Sequence, residues 1–189
     1  MIETFQHNGY TVAIQQDSDA ETPRHDSNLG TFWTMERNTN SPDPLTCRGN
    51  AFQSLADLLN CAGTWESIRK ALDKQAVWFP VWKYEHSGVV YAAADSNPFS
   101  CPWDSGQAGV IFALKADVRK EYSVKRVDAA TRAKAEKVLQ GEVETYSQWA
   151  NGEVYGYTVT DEAGEEVDSC WGFIGLDYAR EEAKEACAA

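Results

Sequence analysis

The strand-like segments of this chain come in clusters and do not alternate one for one with helices, and that grouping decides what it can fold into. Strand-like runs cover residues 5–16, 30–37, 76–85, 89–93, 109–114, 153–160 and 165–173, and apolar and polar residues alternate at a period of two over 30–37, 153–160 and 165–173. Asn8-Gly9 interrupts the first of these runs, Pro80 demotes the third to an edge or bulged position, and Asp161-Glu-Ala-Gly164 makes a turn between the last two. Helical signals are fewer. Ser54 and Thr64 are placed to cap helices over 55–60 and 65–74, a moderate helix fits 116–122, and Asp177 is placed to cap a short acidic one near the end. The clearest helix runs from residue 128 or 129 to 150. Ala135, Val138, Leu139, Val143, Tyr146 and Trp149 form its apolar stripe, and Asn151-Gly152 stops it. Clustered strands with interspersed helices predict an α+β fold with a mainly antiparallel twisted sheet, one long amphipathic helix and several short ones. The 189 residues contain no repeat or linker, so a single domain over 1–189 is expected, with an irregular insertion at 38–50 rich in Pro, Asn and Ser.

Charge narrows the function. The chain has 29 acidic and 17 basic residues, a net of -12, and the excess is concentrated at one end. Residues 140–189 hold 12 acidic and 2 basic groups, whereas residues 1–139 hold 17 and 15. Direct nucleic-acid binding needs a basic surface and is disfavoured. A concentrated negative field attracts basic partners, including proteins whose own ligand is DNA or RNA; a solvated acidic face that only maintains solubility has the same composition. The carboxylates that would make a partner-binding surface are Glu153, Asp161, Glu162, Glu165, Glu166, Asp177, Glu181, Glu182 and Glu185. A row of carboxylates a few ångströms apart can imitate the phosphates of one DNA strand. No run approaches the roughly 20 apolar residues of a membrane span, and the first residues lack the layout of a signal peptide. The expected location is therefore the cytoplasm, which the resemblance described below would make that of a bacterial host.

Cysteines at 47, 61, 101, 170 and 187 are odd in number and contain no Cys-x-x-Cys; His7, His25 and His86 stand far apart. Neither a disulfide framework nor a zinc site is expected, and no cofactor motif occurs. Two stretches remain unusual. Residues 96–107 pack Cys101, Asp104, two prolines and Trp103 into one loop, and a nucleophile reading pairs Cys101 with His86, oriented by Asp104. The structural alternative buries Cys101 and plugs the sheet end with Trp103. In residues 168–175 Asp168, Cys170 and Gly172 would share one strand face, opposite Ser169, Trp171 and Phe173; the glycines would admit a ligand, or Trp171 and Phe173 would join the core. A small enzyme or ligand-binding domain, with its site at the His86, Cys101–Gln107 and Asp168–Trp171 loops, is thus the alternative to a non-enzymatic binding protein.

Three stretches resemble a family of bacteriophage and mobile-element proteins with no assigned activity. They are Thr22-Pro-Arg-His-Asp-Ser-Asn-Leu-Gly30; Tyr84-Glu-His-Ser-Gly88 continuing to Ser100-Cys-Pro-Trp-Asp-Ser-Gly-Gln107; and Glu142-Val-Glu-Thr-Tyr146 through Gly152-Glu-Val-Tyr-Gly156 to Asp168-Ser-Cys-Trp-Gly-Phe173. Ser27 stands where that family commonly has a carboxylate, and the segment 38–50 is particular to this chain. The resemblance implies phage or mobile-element origin and brings no catalytic residue. Small acidic proteins of such origin are often inhibitors of restriction or CRISPR systems, which by association makes a basic, nucleic-acid-binding defence complex the expected partner.

Overall fold

The computed structural model describes residues 1–36 and 40–188. Of the segment expected to be irregular, residues 38 and 39 lie outside the described part, as does Arg37 at the end of the second expected strand. In chain order the elements are β1 (Glu3–His7), β2 (Tyr10–Gln16), β3 (Thr31–Thr34), α1 (Ala51–Leu59), α2 (Trp65–Gln75), β4 (Ala76–Glu85), β5 (Val89–Ala93), β6 (Ser105–Leu114), α3 (Lys115–Glu121), α4 (Ala129–Ala150), β7 (Val154–Thr160), β8 (Glu166–Ile174) and α5 (Leu176–Ala186). The fold is α+β. Its strands form two four-stranded sheets, ordered β1-β2-β7-β8 and β3-β6-β4-β5, and every pairing is antiparallel. Among the described residues no helix is long and apolar enough to cross a membrane.

The chain divides into two compact units: a terminal unit, Met1–His25 with Gln148–Ala189, and a central unit, Asp26–Ser147. In the central unit both faces of the sheet are covered. One face packs Trp33, Val110 and Phe112 against Leu55 and Leu59 of α1 and Ile68 and Leu72 of α2. The other packs Phe32, Val77, Phe79 and Ile111 against Val118 of α3 and Ala135, Leu139 and Val143 of α4. Double coverage explains why residues 108–113 of β6 are apolar without interruption and all buried. The terminal unit buries one face only: Val12, Ile14, Tyr157 and Val159 lie under Ala179, Ala183 and Cys187 of α5.

Several expectations change on contact with the structure. The strand expected over 5–16 is a hairpin, because Asn8 (φ 50°) and Gly9 (φ 85°) adopt the left-handed pair that a two-residue turn between twisted strands requires. The cap of α1 is Asn50, whose Oδ1 accepts the Gln53 N–H at 2.9 Å; Ser54 is fully buried and its hydroxyl accepts the Cys47 N–H. Thr64 does cap α2, accepting from Ser67. On α4 the buried residues follow steps of four, from Thr131 through Ala135, Leu139 and Val143 to Ser147, so Val138 points outward and is 39% exposed. Asp177 is not the cap of α5; Gly175 holds that position, and Asp177 binds Arg180 inside the first turn.

Pro80 sits in β4 between two partners, not at an edge. Its carbonyl accepts from Ala94, on the β5 side, so the missing N–H faces the point where β5 has ended and costs no bond to β6. One step on, the β4–β6 register slips: Val81 opposes Gly109 and Trp82 opposes Gln107, leaving Ala108 as the extra residue of a bulge.

Candidate functional site

The two units differ in charge far more than in size. The terminal unit holds 14 acidic and 3 basic residues, a net of -11; the central unit holds 15 and 14, a net of -1. All nine carboxylates of the expected partner surface belong to the terminal unit. Its three basic residues are already occupied or enclosed. Arg24 is buried, Arg180 forks onto Glu3 (2.5 and 2.7 Å) and reaches Asp177 (2.7 Å), and Lys184 binds Glu181 (2.7 Å). Arg180 holds the Glu3 carboxyl below the usual carboxylate range by hydrogen bonding and by its charge.

Local structure sorts the nine carboxylates into groups. On α5 the buried stripe Ala179, Ala183, Cys187 fixes the helix on the sheet, so Asp177, Glu181 and Glu185 fall on the opposite side at steps of four. At about 1.5 Å rise per residue these three stand roughly 6 Å apart along the axis. Two of them carry an adjacent countercharge, Asp177 from Arg180 and Glu181 from Lys184, so the row is partly neutralised. Asp161, Glu162, Glu165 and Glu166 lie at the β7–β8 turn, where Asp161 Oδ1 accepts the N–H groups of Ala163 and Glu165. Glu182 acts together with Asp168: burial and the charges of Asp168, Cys170 and Glu182 push the Tyr157 hydroxyl up to about 12, and that hydroxyl bonds Asp168 Oδ2 at 3.3 Å. Glu153 stands apart, at the opposite end of β7 from the turn, bonded by Asn151. Glu142, counted with the acidic segment by its position, belongs to the central unit and is structural: its carboxylate accepts the N–H groups of Leu29 (2.7 Å) and Gly30 (3.1 and 3.2 Å).

β8 forms one edge of the terminal sheet, and its first seven residues are exposed. The face assignment expected for it fails at Gly172, which has φ 91° and shares with Trp171 the position opposite Gly156. This bulge turns Phe173 to the side of Asp168 and Cys170, where it stacks on Tyr157 at 5.5 Å. Trp171 is therefore not a core residue. It is 47% exposed and its ring lies over Gly156, where any Cβ would collide with it.

The Cys101 loop belongs to the central unit, whereas Asp168–Trp171 belongs to the terminal one. The Cys101 thiol donates to Asp104 Oδ2 at 3.1 Å, and Ser105 donates to the Cys101 carbonyl. Asp104 also accepts the Glu85 N–H through its carbonyl, which ties the loop to the end of β4 beside the His86 turn. Among the described residues the His86 imidazole bonds neither the thiol nor the carboxylate. Trp103 does not plug the sheet end; it is 92% exposed. Among the described residues no three His, Cys, Asp or Glu side chains gather at a spacing that would hold a metal ion.

The central unit also carries a concavity of about 370 Å³ that periodicity had hidden in plain spacing. Trp65, Arg69 and Asp73 recur every four residues along one side of α2, and Trp78, Pro80 and Trp82 every two along one face of β4. The helix forms a wall and the strand a floor. Gln107 reaches the same floor because the bulge at Ala108 reverses the side to which β6 residues point. Two of the indoles are held by their N–H groups, Trp78 to Asp73 Oδ1 (2.9 Å) and Trp82 to the Ala94 carbonyl (2.8 Å), and Trp65 meets Trp78 edge to face.

Compared with family models, with curated proteins and with solved structures, the chain matches none.

Proposed function

We propose that this chain is an accessory protein of phage or mobile-element origin that binds a basic host protein and inhibits it without catalysing a reaction. The partner is a nucleic-acid-binding defence complex of the CRISPR or restriction type. The acidic terminal unit occupies the channel that would otherwise hold DNA or RNA, its carboxylates standing in for phosphates. The observation that supports this reading is the segregation of charge: -11 of the net -12 falls in the terminal unit, whose basic groups are buried or already bound. Such a field raises the association rate with a basic channel and loses reach as salt shortens the screening length to about 8 Å. Exposed aromatic side chains such as Trp171 and Tyr178, both in the same unit, supply the anchors that charge alone lacks.

The test is capture from a lysate of the bacterial host, with identification by mass spectrometry and washes at low and high salt. The expected result is salt-sensitive retention of a nuclease, restriction or CRISPR component that duplex DNA displaces. Reversing Glu162, Glu165, Glu181 and Glu185 to Lys should weaken binding at least tenfold and flatten its salt dependence together. Unchanged affinity in that variant removes the phosphate-mimicry reading.

A further inference from the structure

From the concavity of the central unit we infer a second binding site, one for a neutral sugar of one or two rings. This inference is independent of the acidic unit and draws on none of its residues. The site has the proportions of a small-molecule pocket, which run from roughly 300 to 1,000 Å³. Its hydrophobic surface comes from flat rings: three indoles and Pro80. The floor is kept open on the β5 side because Ala92, which pairs with Trp82, has only a methyl group to place there.

The polar groups select among flat ligands. Arg69 and Arg132 contribute two positive charges, and Asp73 and Asp95 two negative ones, with Gln107 neutral between the strands. Arg132 gives its Nε to Glu136 at 2.7 Å, which adds a further carboxylate beside the site. A phosphorylated or carboxylated ligand would meet these acidic groups, and a quaternary ammonium would meet the Arg69 guanidinium. Neither sign of charge is favoured. A neutral ring bearing hydroxyls suits this balance: hydroxyls donate to Asp95 and to the second oxygen of Asp73, and accept from the forked donors of Arg69 and from Gln107. The ring's C–H face, slightly positive, lies against the electron-rich indole faces. Because the N–H groups of Trp78 and Trp82 are already bound, their rings are fixed platforms and little ordering is left for the ligand to impose.

The experiment is isothermal titration of the full chain with maltose, cellobiose, lactose and N,N′-diacetylchitobiose, each to roughly 10 mM, a range that captures weak sites. Tetramethylammonium and adenosine monophosphate serve as cationic and anionic rivals. At least one disaccharide should saturate. Asp95→Ala, at an exposed position, should weaken that binding roughly tenfold, and Trp82→Ala should do the same while Trp82→Phe retains most of it. Circular dichroism confirms that each variant is folded. No heat from any of the four sugars with the folded wild-type chain overturns the inference. So does sugar binding that Asp95→Ala leaves unchanged, or saturation by either charged rival with none by the sugars.

Discussion

Gly109 pairs with Thr34 across the β3–β6 seam, and a single methyl group shows how tight that seam is. A Cβ at this position would meet the carbonyl oxygen of Trp33, which is backbone and cannot rotate away. Gly109→Ala should therefore cost about 1–3 kcal/mol, the range of overpacking in a filled interior, measured by urea denaturation. Gly106, three residues earlier on the same strand, has nothing within 4 Å of its would-be Cβ, so Gly106→Ala should be close to neutral. Equal losses at both sites would show that strand propensity, not the Trp33 contact, sets the cost. Glu3 makes a second residue-scale case. Its folded-state pKa is lowered by Arg180, so its contribution is present above the unfolded carboxyl value, about 4.3, and is lost as pH falls through the lower folded value. Glu3→Gln should destabilise by about 0.5–1 kcal/mol at pH 7, as a partly exposed pair does. The gap from the wild-type chain should close as denaturation is followed below about pH 4; a gap that persists there would mean that packing carries the effect.

At the scale of elements, β8 is the exposed one. It offers an open edge and two bare faces over seven residues, with Val167 and Trp171 uncovered, a combination that invites pairing with another strand. Glu166 and Asp168 lie within that stretch and keep such edges apart by repulsion. Glu166→Gln with Asp168→Asn should speed aggregation at neutral pH, followed by thioflavin fluorescence and light scattering; unchanged kinetics would show that the twist at Gly172 is protection enough. This element also marks where sequence reading succeeds and where it stops. The bounds of β4, β5 and α4 are legible because each is strand- or helix-like throughout and ends at a clear stop. β6 begins four residues earlier than the strand expected over 109–114, since Ser105-Gly-Gln107 takes strand geometry from β4 and not from its own composition. The bulges at Ala108 and Gly172 reverse which side chains share a face, and no pattern in a single strand announces a bulge that its partner imposes. The concavity of the central unit was written in two spacings, four for Trp65, Arg69 and Asp73 and two for Trp78, Pro80 and Trp82. Only the packing of α2 beside β4 makes them one site. The acidic residues were legible as a group, but their partition was not: Glu142 turned out to hold Leu29 and Gly30, and Asp177 and Glu181 have their own cations.

On the scale of the whole molecule, a net of -11 in 67 residues beside a nearly neutral remainder is a liability as well as a tool. Like charges at several-ångström spacing repel, and added salt screens them. Raising sodium chloride from low to moderate concentration should therefore raise the Tm of the chain by a few degrees, read by far-ultraviolet circular dichroism. A Tm that falls with salt would mean that the ion pairs of Arg180 and Lys184 outweigh the repulsion. The segregation also predicts which substitutions leave which property intact: reversal of acidic residues in the terminal unit should spare sugar binding, and Asp95→Ala should spare capture of the basic partner.

The terminal sheet joins β2 to β7, strands whose nearest ends in sequence, Gln16 and Val154, have the whole central unit between them in the chain. On a ribosome adding about 5–20 residues per second, the first hairpin is made roughly 7–28 s before the strand it must pair with. During that interval its apolar face, with Val12 and Ile14, has no lid, while every residue of the central unit is on hand to assemble as it emerges. The acidic unit is consequently completed only after the central unit. A chain halted before β7 would carry a finished central unit and a β1–β2 hairpin still without its partner strands, a state that pulse-labelling of nascent chains can distinguish from the completed protein.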